Sequence, residues 1–243
     1  MLLALDSSTE TMALALVGEG KAWHLDAEGG AKASQQMVPE LMALLARAGL
    51  CLAEVQAIAF GRGPGAFTGL RTACAVAQGL ALGADKPVLA LDSLMLVAED
   101  ARQQAADRGN PLAAQDRLWV TMDARMDEIY AGLYRWDGQG WQTDHAPALY
   151  EPEALRAQLA ARPAAGLAGS ALQPFGLAAG TAATYPWCTS RARALGRLAC
   201  QAWAQGQAIA ADQALPHYVR DKVALTTAER EAAAAARAAG GPL

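Results

Sequence analysis

Histidine and cysteine are scarce in this 243-residue chain, and neither residue type is clustered. The isolated residues are His24, His145 and His217, together with Cys51, Cys74, Cys188 and Cys200. Without an HxxxH, HExxH or Cys/His cluster, a conventional zinc or iron site is not expected. Cysteines that form no CxxC pair are typical of free thiols in a reducing compartment.

Targeting and hydrolase signatures are also lacking. The N-terminus has no basic segment, Asp6 interrupts its first apolar run, and no stretch reaches the roughly 20 apolar residues of a membrane span. The sequence contains no G-x-S-x-G elbow of serine hydrolases. Its 20 basic and 24 acidic residues give a net charge of −4, which argues against coating nucleic acid by charge alone. We expect a cytoplasmic protein without a membrane segment.

The pattern of apolar runs and turns predicts two related halves. Residues 2–26 read as three strands, and the following segments extend the order to β-β-β-α-β-α. Residues 118–149 repeat the first part of this pattern, with Asp6 and Asp123 in equivalent places at the ends of strands. Internal duplication is the simplest explanation, and chance similarity of two meanders is the alternative.

A duplicated β-β-β-α-β-α unit is the layout of the actin-like ATPase fold, an α/β, RNase H-like architecture with nucleotide between two lobes. We therefore predict an N-terminal lobe over residues 1–107 and a smaller second lobe over residues 108–205. Residues 206–243 are predicted to dock back on the first lobe and to end in a frayed, Ala-rich tail.

The first hairpin reads Asp6-Ser7-Ser8-Thr9, where this fold wraps a phosphate. The amides and hydroxyls of this turn can bind phosphate, and its aspartate can hold a metal ion or water. The turn lacks a glycine, however, and a purely structural turn is the favoured alternative. A run of charges, residues 123–128, is predicted to face it from the second lobe. The residues of such a vestigial nucleotide cleft would be Asp6, Ser7, Ser8, Gly63, Gly65, Asp123 and Arg125.

The strongest motif is the glycine loop, residues 61–71, with the sequence GRGPGAFTGLR. It lacks the Gly-Lys-Ser/Thr ending of a Walker A loop. It satisfies G-x-G-x-x-A, but Pro64 removes an amide that would cradle pyrophosphate, which disfavours a dinucleotide site. The other interpretation is a glycine-dense turn that lets the next helix pack tightly on the sheet.

Two predicted helices, residues 34–48 and 68–84, carry more apolar surface than one buried stripe requires. Such helices can present a patch to another subunit, or each can cover the other within the chain. The predicted partner face comprises Met37, Leu41, Leu44, Leu45, Ala75, Val76 and Gly79.

Four segments together resemble the TsaB (YeaZ) family of bacterial tRNA threonylcarbamoyladenosine biosynthesis proteins. They are residues 5–10 (LDSSTE), the glycine loop, residues 123–130 (DARMDEIY) and residues 216–220 (PHYVR). The resemblance covers most of residues 1–222, and the glycine loop is its most specific part.

The resemblance implies a non-catalytic subunit that pairs, through its first two helices, with a larger catalytic paralogue, TsaD, and is joined by an ATPase, TsaE. Where that paralogue carries its metal-binding histidine pair, this chain has Asp92-Ser93-Leu94. The resemblance further implies that this chain binds no metal or cofactor itself, that ATP or ADP acts in the complex, and that tRNA is reached indirectly. The apolar helices leave open a homodimer when the partner is absent.

Three alternatives remain open at this point. One is a free-standing nucleotide phosphohydrolase or kinase of the same fold that uses Asp6 and Asp123. Another is the older view of this superfamily as glycoprotein peptidases, for which the sequence offers neither histidine ligands nor an activated nucleophile. The third is a dinucleotide-binding protein.

Overall fold

The computed structural model describes residues 1–177 and 182–220, which form two five-stranded sheets and five α-helices. The first sheet and its helices comprise β1 (Leu2–Asp6), β2 (Thr11–Gly18), β3 (Lys21–Glu28), α1 (Ala33–Ala48), β4 (Ala57–Gly63), α2 (Phe67–Ala84), β5 (Val88–Asp92) and α3 (Ser93–Asp107). The second part comprises β6 (Arg117–Asp123), β7 (Ile129–Trp136), β8 (Trp141–Tyr150), α4 (Pro152–Ala161), β9 (Gly166–Ala168), β10 (Ala183–Tyr185) and α5 (Arg191–Ala204).

The two sheets have the same topology, as the predicted duplication requires. The strand order is β3-β2-β1-β4-β5 in the first sheet and β8-β7-β6-β9-β10 in the second. Each central strand pairs antiparallel with the next strand of its hairpin and parallel with its other neighbour. Asp6 and Asp123 end the two central strands, and the actin-like, RNase H-like fold class is confirmed.

The elements stack in five layers because both faces of each sheet are apolar. Side chains that alternate along the first sheet pack on α1 and α2 on one face and on α3 and α5 on the other. The second sheet packs on α3 with one face and on α4 with the opposite face. One hydrophobic core therefore runs from the first sheet through α3 and α5 into the second sheet.

Helix α5 corrects the predicted lobe boundaries. Residues 108–205 were assigned to the second lobe, yet α5 packs against β1 and β2 of the first sheet. Carboxylates of the first lobe bind the start of this helix: Asp26 Oδ1 accepts from the main-chain N–H of Ala192 at 2.9 Å. Asp100 Oδ1 likewise accepts from the main-chain N–H of Ser190 at 2.8 Å. A helix N-terminus attracts negative charge, so these carboxylates hold α5 on the first lobe although the helix follows the second sheet in the chain.

The C-terminal segment lies along the first lobe as far as Tyr218, and Arg220 contacts the second lobe. Ile209 forms a two-way main-chain bridge with Val88, with both N···O distances at 2.9 Å. The predicted frayed tail lies outside the described residues, as does everything after Arg220. Among residues 1–177 and 182–220, no helix has the length and apolarity needed to cross a bilayer.

Candidate functional site

A cleft of about 500 Å³ opens where the two central strands end. One wall is formed by the first hairpin and the glycine loop, with Ser8 and Gly65 in contact with the cavity. The opposite wall is formed by residues 122–126, including Asp123 and Arg125. The fold thus brings residues of both lobes to one cavity, as the duplication predicts.

The carboxylate of Asp6 does not face this cleft, because it is buried and ion-paired inside the first lobe. Arg191 Nη2 lies 2.8 Å from Asp6 Oδ1, and the hydroxyls of Ser8 and Ser93 donate to the two carboxylate oxygens at 2.9 and 3.2 Å. Burial is the largest single influence on the pKa of Arg191 and lowers it, but the attraction of Asp6 and the contact with Cys188 together outweigh burial and raise the pKa of the guanidinium. Both oxygens of this carboxylate are therefore bonded to side chains of the chain itself.

The glycine loop covers the first hairpin. The main-chain N–H of Ala66 donates to the carbonyl oxygen of Ser8 at 2.8 Å, and Ser7 Oγ donates to the carbonyl oxygen of Gly69 at 2.8 Å. A Cβ at Gly69 would overlap the carbonyl oxygen of Ser7, and one at Gly61 would overlap the carboxylate of Asp6. Close backbone approach thus explains the glycines, as the packing interpretation of this loop predicts.

The predicted cleft residues consequently divide into two groups. Ser8, Gly65, Asp123 and Arg125 line the cavity. Asp6, Ser7 and Gly63 are buried behind its wall, so their prediction as cleft residues is wrong. The carbonyl oxygen of His217 lies where a Cβ of Gly63 would be, which closes that position from outside.

The second wall of the cleft contains a strained turn. Arg125, Met126 and Asp127 all have left-handed backbone conformations, with φ of 64°, 58° and 58°. The left-handed region costs a non-glycine residue roughly 1–2 kcal/mol. Asp123 Oδ1 accepts from the main-chain N–H of Arg125 at 2.7 Å, and Arg220 binds the turn from the C-terminal segment. Strain of this kind concentrates at functional sites.

An ion pair joins the two walls at the mouth of the cleft. Arg125 Nη2 lies 2.8 Å from Glu10 Oε1, and both side chains are about three-quarters exposed. A pair this exposed is weak, because water screens it and the two long side chains lose rotamer freedom. It orients Arg125 across the cleft and adds little to stability.

Asp92 and Ser93, which stand where the resemblance places the paralogue's histidine pair, have structural contacts. Asp92 Oδ1 caps α3 by accepting from the main-chain N–H of Leu94 at 2.8 Å, and Asp92 Oδ2 accepts from the hydroxyl of Tyr134 at 2.7 Å. Burial raises the pKa of Asp92 despite these bonds. Within the described residues, no group of three or more His, Cys, Asp or Glu side chains is placed to hold a metal ion.

The predicted partner face is wrong for α1. The apolar side chains of Met37, Leu41, Leu44 and Leu45 are at most 1% exposed, because they pack on the first sheet and α2. The residues predicted on α2 are accessible: Ala75 and Gly79 are exposed, and Val76 is half-buried.

A different set of apolar residues forms the exposed surface of these two helices. We call it the outer helix face, and it comprises Val38, Met42, Ala75, Gly79 and Leu82. On α1 its members are one turn apart, and on α2 they follow helical spacing of three to four residues. Leu82 is 68% exposed, more than Val38 at 40% and Met42 at 47%.

Sequence reasoning missed both arginines that organise the site. Arg191 lies 185 residues from Asp6 in the chain, and Arg220 lies 92 residues from Glu128, so no local motif announces either pair. The sequence predicts that residues 206–243 dock on the first lobe, but it does not predict the contacts that Arg220 makes with the second lobe. Arg191 is one of three arginines on α5, with Arg193 and Arg197, so the sequence gives no signal that it is the one that forms an internal ion pair.

The sequence of this chain is similar to those of known proteins. A family model described as "TsaD: tRNA N6-adenosine threonylcarbamoyltransferase" matches residues 29–173. The tRNA threonylcarbamoyladenosine biosynthesis protein TsaB of Escherichia coli K12 is 32% identical over 229 residues, which cover 92% of this chain and 96% of that protein. TsaB of Haemophilus influenzae is 40% identical over 129 residues, 53% of this chain and 51% of that protein.

A solved structure shows the same architecture. The structure of YeaZ from Pseudomonas aeruginosa superposes with a TM-score of 0.77 at 36% identity, and it covers 89% of this chain and 98% of that one. The sequence similarity to TsaB of Escherichia coli and the structural similarity to YeaZ of Pseudomonas aeruginosa thus each extend over about nine-tenths of this chain.

Proposed function

Since the chain belongs to the TsaB (YeaZ) family and so takes part in tRNA threonylcarbamoyladenosine biosynthesis, we propose that it acts there as a non-catalytic partner subunit. It pairs with a TsaD-like transferase in the cytoplasm, a TsaE-like ATPase joins the pair, and tRNA is reached through the complex. ATP or ADP acts at the level of the complex.

The observation that carries this proposal is the internal ion pair between Asp6 and Arg191. An aspartate at this position of an actin-like lobe could assist phosphoryl chemistry only by holding a cation or an attacking water. Here its oxygens are committed to Arg191, Ser8 and Ser93, and the glycine loop covers the turn. Because these oxygens are already bonded, the Asp6 carboxylate is not available to hold a cation or a water. This supports the role of a scaffold rather than of a catalyst.

The same contacts disfavour a free-standing nucleotide phosphohydrolase or kinase. Such an enzyme would need the Asp6 carboxylate at the cleft, and it lies behind the wall. Metal-dependent ATP turnover by the chain alone, lost in Asp6→Asn, would restore the enzyme hypothesis.

The outer helix face supports a protein partner. It combines three large apolar residues, Val38, Met42 and Leu82, with the small residues Ala75 and Gly79 of α2, and small residues allow a helix of another subunit to approach closely. Because an exposed apolar patch is removed from water on pairing, its burial supplies a driving force for association. The outer helix face therefore takes the place of the α1 residues that the sequence predicted as the partner face, which are buried.

An omission experiment tests the proposal. Threonylcarbamoyladenosine on tRNA is measured in a reconstituted mixture of TsaD-like, TsaE-like and carbamoyl-adenylate-forming proteins, with and without this chain. We expect product only when the chain is present, and near-normal product with Asp123→Asn, which alters the cleft wall but keeps a hydrogen-bond acceptor. Equal product without the chain would refute the partner role. Loss of product in an Asp123→Asn chain that still pairs would refute its non-catalytic character.

The outer helix face predicts a variant that separates pairing from folding. Leu82→Glu should weaken pairing with the TsaD-like partner at least about tenfold, because a carboxylate would be desolvated in the interface. Stability of the isolated chain should not change, since the side chain is 68% exposed. Affinity is measured by calorimetry and stability by urea unfolding.

Trp187→Glu is the matched control for Leu82→Glu. Trp187 is similarly exposed, at 63%, but it lies beside α3, away from the outer helix face. If both variants weaken pairing equally, or if neither does, the assignment of the outer helix face is wrong.

A further inference from the structure

Residues 214–220 cross from the first lobe to the second beside the mouth of the cleft. On the first lobe, the carbonyl oxygen of Ala214 accepts from Gln78 Nε2 of α2 at 2.8 Å. The main-chain N–H of His217 donates to the carbonyl oxygen of Arg62 at 2.7 Å. This end of the segment is therefore fixed to the glycine loop and to α2.

Tyr218 adds a third attachment on the same side. Its hydroxyl accepts from Arg71 Nε at 3.0 Å, and its ring centroid lies 5.1 Å from that of Phe67. Because the three attachments fall within five consecutive residues, the segment has little freedom until it reaches Arg220.

Arg220 then binds the second lobe at the strained turn. Its Nη2 lies 2.6 Å from Glu128 Oε2 and within 3.2 Å of the carbonyl oxygens of Ala124 and Arg125. Its Nη1 lies 3.0 Å from the sulfur of Met126. The side chain of Arg220 is 12% exposed, so these bonds are shielded from water.

The turn is closed by two main-chain hydrogen bonds, from the N–H of Ala124 to the carbonyl oxygen of Glu128 at 2.9 Å and from the N–H of Glu128 to the carbonyl oxygen of Arg125 at 3.2 Å. Besides Arg220, few side chains of the described residues contact it. Asp123 binds its first amide, and the Glu10–Arg125 pair at its surface is exposed and weak. The side chain of Met126 is 58% exposed, so packing does not fix it either. Arg220 is thus the group with the most bonds to the turn and the best shielding.

We propose that residues 214–220 form a strap that holds residues 125–127 in the left-handed conformation and thereby keeps the mouth of the cleft narrow. When Arg220 is released, the turn relaxes to ordinary backbone conformations and that wall of the cleft moves outward. The strap acts within the isolated chain, so it goes beyond the partner role and does not depend on it.

Hydrogen–deuterium exchange on the full chain tests the strap. In Arg220→Gln, the amides of residues 124–128 should exchange about tenfold faster or more, because charge-assisted bonds to the turn are lost. Arg193→Gln is the matched control, since it removes a surface arginine–aspartate pair remote from the turn. In the milder variant Glu128→Gln, the exchange rate of the same amides should increase less. This variant tests the strap if Arg220→Gln does not fold.

A rescue experiment distinguishes release of strain from general loosening. Glycine adopts the left-handed region without penalty, so Met126→Gly should restore much of the protection in the Arg220→Gln background. Wild-type exchange in both Arg220→Gln and Glu128→Gln would overturn the proposal. It would also be overturned by an equal rise across the whole second sheet, or by an absence of rescue.

Discussion

Arg191→Gln should lower the free energy of unfolding by about 3–5 kcal/mol, the range observed when one partner of a buried ion pair is removed. The variant leaves the Asp6 carboxylate buried with two serine hydroxyls and without a cation. Urea unfolding of the isolated chain, followed by tryptophan fluorescence, measures the change. The effect is large because neither side chain is accessible to water: Arg191 is 5% exposed and Asp6 is fully buried.

The double variant Asp6→Asn, Arg191→Gln identifies the cause. Removing both charges should recover a substantial part of the lost stability, because the uncompensated carboxylate is gone. Arg193→Gln, at an exposed pair two residues further along α5, should leave the unfolding midpoint nearly unchanged. Equal losses at Arg191 and Arg193, or a double variant as unstable as the single one, would contradict the internal-cation account.

Gly69→Ala should destabilise the chain by about 3 kcal/mol, at the upper end of the usual range for overpacking. The added Cβ would overlap the carbonyl oxygen of Ser7, which belongs to the backbone and cannot rotate away. The first hairpin and the N-terminus of α2 would have to separate, which also disturbs the cleft wall. Thermal or urea unfolding measures the loss.

Gly83→Ala in the same helix is the control for Gly69→Ala. Among residues 1–177 and 182–220, no atom lies within 4 Å of a Cβ at Gly83, so alanine should stabilise α2 by up to about 1 kcal/mol through its helix propensity. Opposite signs for the two substitutions are the expected result. A loss at Gly83 comparable to that at Gly69 would mean that helix propensity or the unfolded state, rather than close approach, dominates both.

The sequence predicted the duplicated strands well because their signal is local. Residues 2–26 and 118–149 alternate apolar runs with short turns. The first apolar run of each segment ends on an aspartate, Asp6 or Asp123. The two sheets repeat this pairing pattern strand for strand. The sequence does not predict strand β10, because two of its three residues are exposed and it contains no apolar run, whereas the equally short β9 is apolar and is predicted.

The partner face shows where local patterns stop being informative. Leu41 and Met42 are adjacent and both apolar, yet the first is buried and the second is exposed. Hydrophobicity alone does not say which of two apolar stripes faces the sheet, since both satisfy a helical period. The assignment depends on how α1 rests on the first sheet, which is a tertiary property.

The cleft depends even more on distant parts of the chain. Asp123 and Arg125 line the cavity, which agrees with their position directly after a central strand. Asp6 was misplaced because its partner, Arg191, lies on the last helix. An ion pair that joins opposite ends of the chain leaves no trace in residue spacing.

Helices α3 and α5 belong to one hydrophobic core that the two halves of the duplication share. Helix α5 is encoded after the second sheet but covers the first, so ribosomal synthesis must finish the second half before the first is fully covered. We therefore expect neither half to fold stably when expressed alone, because the first half would lack α5 and the second would lack α3.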